Sequence, residues 1–176
     1  QQPSEGTSNG LLTITANRQL QEPVTLSLDV GGTATAGVDY ESLNTSVTFP
    51  ADTDTITIPV SLLPDQLVEG IETVVVTLTG VDSQLVTIGA SNSATLSIAD
   101  NDVVTLSIEA EKTFPERSGE QTILVTLTTS DGAGGTATLA PGITLQADVV
   151  DTGVGTATGA DLMFLGTQTI RFVAGS

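Results

Sequence analysis

The 176-residue sequence predicts an all-β chain of antiparallel sandwich or barrel modules arranged in tandem. Three observations carry this prediction. Apolar and polar residues alternate with a period of two almost throughout. Gly, Asn, Asp and Pro interrupt the alternation about every ten residues. The pattern then restarts after Asp100-Asn101-Asp102.

The elements follow in order. Leu12–Ala16 alternates, as do Val24–Leu28, Val47–Phe49, Ile56–Val60, Val74–Leu78 and Ala94–Ile98. Alternating β-branched and polar residues make half-buried strands, with Val, Ile and Leu facing inward and Thr and Ser facing water. Asn9-Gly10, Gly31-Gly32, Pro50, Pro64-Asp65, Gly80 and Gly89 mark the turns. Val103–Ile108 is a fresh strand, and Ile123–Leu127 is a further strand similar to the Leu11–Ala16 segment. No segment has helical periodicity; Gln84 to Ile88 holds at most a short turn. Gly32-Thr33-Ala34-Thr35-Ala36-Gly37-Val38-Asp39-Tyr40 is repeated as Gly155-Thr156-Ala157-Thr158-Gly159-Ala160-Asp161-Leu162. Thr45–Phe49 likewise returns as Thr167–Phe172. An internal repeat of this size implies two modules, residues 1–102 and 103–176, with almost no linker.

Composition excludes several functions. The formal net charge is −17, from 21 Asp and Glu against Arg18, Lys112, Arg117 and Arg171. Such a surface repels phosphate, so nucleic acid and anionic lipid are poor partners, while divalent cations are attracted. There is no Cys, His or Trp, hence no disulfide framework, His-based triad or His-ligated zinc. Tyr40, Phe49, Phe114, Phe164 and Phe172 are too few for a stacking platform. No apolar stretch approaches the ~20 residues of a helical membrane span, so no membrane insertion is expected. Hydrophobic residues make up 39% of the chain, enough to form a core. The chain starts without Met, which suggests a processed product or a fragment. The acidic, Thr-rich, Cys-free composition fits an exported bacterial surface protein.

Several segments together resemble the Calx-beta domain, a family found in sodium–calcium exchangers, the integrin β4 subunit and tandem arrays on bacterial surface proteins. They are Gly32–Tyr40, Thr48-Phe49, Val68-Glu69-Gly70-Ile71-Glu72-Thr73, Ile88-Gly89 and Ala94–Asp102, in family order and spacing. Glu5-Gly6 looks like the family's early Glu-Gly, which leaves the first strand of the first module short or missing. The second module matches through Val173 and lacks the last two strands. The resemblance implies an immunoglobulin-like antiparallel β-sandwich, with calcium ligands at one tip carried over as Glu5, Asp65, Glu69, Glu72, Asp100 and Asp102. The chain departs from the family at Gly31, Gln66 and Asn101, where acidic residues are frequent. In the second module only Glu116 is clearly matched.

Calcium takes six to eight oxygen ligands converging from several loops, and loops of a sandwich cluster at its two ends. The same acidic residues could instead form ordinary solvated turns. Gly32–Tyr40 lacks the Lys and the following helix of a phosphate loop, and reads as a turn between strands. Tyr40 reads as a packed ring. Glu69 with Glu72 could serve a glycosidase, but no sugar-stacking aromatics accompany them. Asp131-Gly132-Ala133-Gly134-Gly135 reads as a mobile glycine-rich loop. The expectation is a non-enzymatic, extracellular or cell-surface module that binds calcium and acts as a rigid spacer or in adhesion. Its partners would be neighbouring modules, copies of itself, or a cell-surface or matrix ligand. The alternative is a subunit of a self-assembling filament completed by strand exchange.

Overall fold

The computed structural model describes residues 2–110, 122–150 and 167–174, and all of its regular elements are strands. The first part of the chain forms β1 (Gly10–Thr15), β2 (Val24–Gly32), β3 (Ser46–Phe49), β4 (Thr55–Val60), β5 (Leu67–Val68), β6 (Glu72–Val81) and β7 (Ser93–Ile98). A four-stranded antiparallel sheet has the order β3-β2-β6-β7, and β1 pairs with β4 in a second sheet. The second sheet lies over the first, giving the immunoglobulin-like sandwich. Among the described residues, Gln84 to Ile88 contains no helix, only a turn at residues 84–85.

The period-two pattern decides the inward face. Leu12 of β1, Leu28 of β2, Val60 of β4, Val74 and Val76 of β6 and Ile98 of β7 meet in one cluster with Tyr40 and Leu62. A smaller cluster of Val24, Leu26 and Phe49 closes the opposite end. Thr25 stands opposite Thr48, and Ser27 opposite Ser46, on the outer face. Backbone approach is closest at Gly32, where a Cβ would fall 2.0 Å from the carbonyl oxygen of Thr73, at a φ of +124°. Only glycine fits there, and Thr33 and Ala34 both donate their N–H to that same carbonyl. The chain is thereby steered off the end of β2 into the Thr35–Tyr40 turn.

Ahead of β1 the chain makes a single parallel bridge, Ser4 to Ala99, with Glu5 N–H donating to the Ala99 carbonyl at 3.2 Å. Beyond Ile98 come β8 (Val103–Ile108), β9 (Val125–Ser130), β10 (Thr138–Leu139), β11 (Thr144–Val149) and β12 (Gln168–Val173). β8 pairs antiparallel with β9 and β11 with β12, while β10 pairs in parallel with β5. The strand expected over Ile123–Leu127 begins at Val125. Ile123 and Leu124 remain 52% and 61% exposed, and past the Ile108–Val125 pair the ladder is reduced to a Glu109 N–H bond to the Leu124 carbonyl. Without a layer over them among the described residues, these side chains gain nothing from strand geometry. The Gly155–Leu162 copy of the repeat and Glu116 lie outside the described residues.

Ile98 is 1% exposed beneath the end of the sandwich. Ile98→Ala is expected to destabilise the chain by about 3 kcal/mol, from lost transfer energy and the cavity left behind. Gly32→Ala should also destabilise, because the Cβ displaces the Thr73 carbonyl. Urea unfolding followed by circular dichroism checks both; an unchanged midpoint in either would contradict the packing described.

Candidate metal centre

Three parts of the chain meet at the end of the sandwich where β2 stops and β6 begins. The first is the N-terminal segment: Glu5, bonded to Ala99, is 3% exposed. The second is the Thr35–Tyr40 turn, held by Gly37 N–H to the Tyr40 carbonyl and by Thr35 N–H to Asp39 Oδ2, with Asp39 also 3% exposed. The third is the Asp65–Glu72 stretch, in which Leu67 N–H closes a turn onto Asp65 Oδ1 at 2.7 Å. Glu5, Asp39 and Glu69 each place a carboxylate oxygen within 4.8 Å of the others.

Around this triad stand the other residues picked out from sequence. Asp100 Oδ2 accepts the Glu69 N–H at 2.7 Å, and its Oδ1 accepts the Asp102 N–H at the same distance. Asp100 therefore ties the Glu69 loop to the strand end; it is not one of the triad. Glu72 hydrogen-bonds Asp39 side chain to side chain. Asp65 Oδ2, Glu72 Oε2, Asn101 Oδ1 and both carboxylate oxygens of Asp102 are enclosed and without a hydrogen-bond partner. Buried acceptors in folded proteins almost always find donors, and an uncompensated buried carboxylate is costly. A set of enclosed oxygens without donors is suited to a cation.

The electrostatics agree. Burial, and then the charges of Asp65, Asp100, Asp39 and Glu69, push Glu5 up to about 8. Burial, the hydrogen bond to Asp39 and that residue's charge raise Glu72 to about 7. Burial leads at Glu69, followed by Asp39, Asp65, Asp100 and Asp102. At Asp102 burial is again first, followed by Asp100, Asp65 and Asp131. Every charge acting on these four groups is another carboxylate, and each would be relieved by a positive ion.

Of the six residues expected from sequence, the structure places Glu5 and Glu69 in the triad, with Asp65, Glu72, Asp100 and Asp102 close enough to act on it. Sequence reading missed Asp39. The signal was present in Gly37-Val38-Asp39-Tyr40, which was read as a turn alone.

The Calx-beta domain family model matches residues 3–102, more than half of the chain. Solved structures are also similar. "Crystal structure of Apo-form Calx CBD1 domain" is 19% identical, covers 56% of this chain and 87% of that one, and has a TM-score of 0.49. "Crystal structure of calcium binding domain CBD12 of CALX1.1" is 14% identical, covers 70% and 66%, and scores 0.49. "Crystal structure of CBD12 from CALX1.2" is 14% identical, covers 72% of this chain and 65% of that one, and at a TM-score of 0.50 shares the fold. No curated protein matches the chain. On the match over residues 3–102, which takes in the whole sandwich and its acidic end, the chain belongs to the Calx-beta domain family.

Proposed function

We propose that the chain binds calcium at this end of the sandwich and serves as a non-catalytic spacer or adhesion module outside the cell, next to further modules of the same kind. The observation that carries the reading is the set of enclosed carboxylate oxygens without donors around Glu5, Asp39 and Glu69. When bound, calcium supplies a divalent charge that accepts many oxygens at flexible distances. Glu5, Asp39 and Glu69 would hold it, and Asp65, Glu72 and Asp102 offer further oxygens. Asp100 keeps the Glu69 loop in place by accepting the Glu69 amide, while its other oxygen accepts the Asp102 amide. Magnesium suits the site less, because it demands a tighter octahedron and keeps its waters. Extracellular modules bind calcium at ~10⁻⁴–10⁻³ M, which matches a site assembled from loops and used where calcium is abundant.

The cell-surface location is part of this reading and rests on the acidity of the chain, with a net charge of −17, and its Thr-rich strands. Filament assembly by strand exchange is a second reading. It is favoured by β8, where Val103, Leu106 and Ile108 are 53%, 40% and 52% exposed. Sedimentation velocity separates the two: a spacer stays monomeric as concentration rises, whereas a filament subunit grows.

Calcium at a hundred times its dissociation constant should add about 2.7 kcal/mol of stability by mass action. The thermal midpoint should therefore rise by several degrees between chelator and several millimolar calcium. Glu69→Gln and Asp39→Asn should each remove most of that rise and leave the chelator melt intact or higher, since both relieve repulsion. A wild-type melt that ignores calcium would end the calcium reading.

pH dependence follows from the same groups. Unfolded Glu5 releases its proton near 4.5, whereas folded Glu5 holds it to about 8; Glu72 behaves alike up to about 7. The folded state binds more protons across that window, so without calcium the contribution of these two groups to stability is full below pH 4.5 and is lost as pH rises through 7 to 8. With calcium bound the carboxylates are ionised, so near pH 7 binding should release about one proton. Titration calorimetry in buffers of different ionisation enthalpy measures that number; a buffer-independent heat would contradict it.

A further inference from the structure

The loop that carries Glu69 into the acidic end is held from two sides. On one side Asp100 Oδ2 accepts the Glu69 N–H at 2.7 Å. On the other lies β10, from the polypeptide beyond the family match. Thr138 N–H donates to the Gln66 carbonyl at 2.8 Å and Ala140 N–H to the Val68 carbonyl at 3.1 Å. The Thr138 hydroxyl reaches the same Gln66 carbonyl at 3.4 Å. Among the described residues β10 is the only strand paired with β5. The two acceptors, Gln66 and Val68, are the chain neighbours of Asp65 and Glu69.

β10 is itself anchored. Ala137 and Ala140, on either side of it, are buried, as is Val68. The Ala137 carbonyl accepts the Thr129 hydroxyl, which ties β10 to β9. Gly132, between those strands, approaches Asn101 so closely that a Cβ would fall 2.7 Å from the Asn101 carbonyl oxygen. The loop has less to hold it elsewhere. The Leu67 N–H bond to Asp65 Oδ1 is internal to the loop and shapes it without fastening it to the sandwich. Gly70, directly after Glu69, is exposed, and a Cβ there would meet nothing within 4 Å.

We propose that β10 is a positioning element of the calcium centre: by pairing with Gln66 and Val68 it holds the backbone on which Asp65 and Glu69 stand, so that ion occupancy and the docking of β10 strengthen each other. The inference rests on the calcium reading of the same site. Thr138 and Ala140 act through the loop backbone and are not ligands. Repulsion within the empty Glu5, Asp39 and Glu69 triad favours any loop position that carries Glu69 away from the other two. The backbone bonds from β10 oppose that movement. An ion that draws Glu69 inward stabilises the same loop position that β10 pairs with. Linkage makes the effect mutual: the factor that β10 adds to calcium affinity is the factor that calcium adds to the docking of β10.

The test compares the full chain with the double variant Thr138→Pro/Ala140→Pro. Proline has no N–H, so neither bond to β5 can form, while every carboxylate is retained. Titration calorimetry should show calcium binding weakened ~10-fold. Thr138→Val keeps the N–H and should bind as the intact chain does. Hydrogen exchange on the intact chain gives a readout that needs no variant to fold. Calcium should slow exchange of the Ala140 amide several-fold more than that of the Glu109 amide, which bonds the Leu124 carbonyl at the end of β8 remote from Asp102. The proposal is overturned if the double variant binds calcium like the intact chain, if Thr138→Val weakens binding as much as the double variant does, or if calcium slows the Ala140 and Glu109 amides equally. The calcium reading then stands without β10. If the intact chain gives no calcium heat at several millimolar, the calcium reading falls first and the role of β10 with it.

Discussion

Carboxylates gathered within 4.8 Å of each other repel, and the rest of the structure is arranged so that they stay together. At an effective dielectric near 20, one such pair of full charges costs about 3 kcal/mol. Glu5, Asp39 and Glu69 make three pairs before Asp65, Glu72, Asp100 and Asp102 are counted. Fully ionised, they would oppose a large part of the ~5–15 kcal/mol that stabilises a typical domain. The chain meets this in two ways: protons retained on Glu5 and Glu72, and oxygens left open for a cation.

What holds the carboxylates in place is the apolar core directly beneath them. Ile98, Val74 and Val60 are the most completely buried side chains, and each lies in or at the end of a strand leading toward the acidic end. Tyr40, packed in the same cluster, adjoins Asp39 in sequence. The Thr73 carbonyl accepts two amides from the chain leaving Gly32, which fixes the route of the Thr35–Tyr40 turn. The backbone that carries the carboxylates is thus fixed by the packing beneath it.

Asp100 shows how one residue type takes different roles a few positions apart. Both of its oxygens are occupied by backbone amides, so it organises the loop. Asp102 has both oxygens enclosed with no donor, so it is available to an ion. In sequence the two are equivalent members of Asp100-Asn101-Asp102. Only the path of the backbone distinguishes them.

The sandwich was legible in the sequence because a strand's side chains alternate by geometry: period two alone states which face is buried. That reading located β1, β2, β3, β4, β6, β7 and β8 to within a few residues. It slipped at β9, where Ile123 and Leu124 have the right pattern but nothing to pack against. The acidic end was legible in part. Glu5, Asp65, Glu69, Glu72, Asp100 and Asp102 stand at turns and strand ends, and a resemblance to a family marked them out. Asp39 was not found, because a turn residue's direction is set by what lies opposite, here the strand carrying Val60 and the loop carrying Glu69. The return of β10 onto β5, and with it the approach of Gly132 to Asn101, could not be read from the sequence at all. A two-residue parallel pairing between positions some seventy residues apart leaves no periodic trace; it exists only where the tertiary fold brings the two backbones within hydrogen-bonding distance.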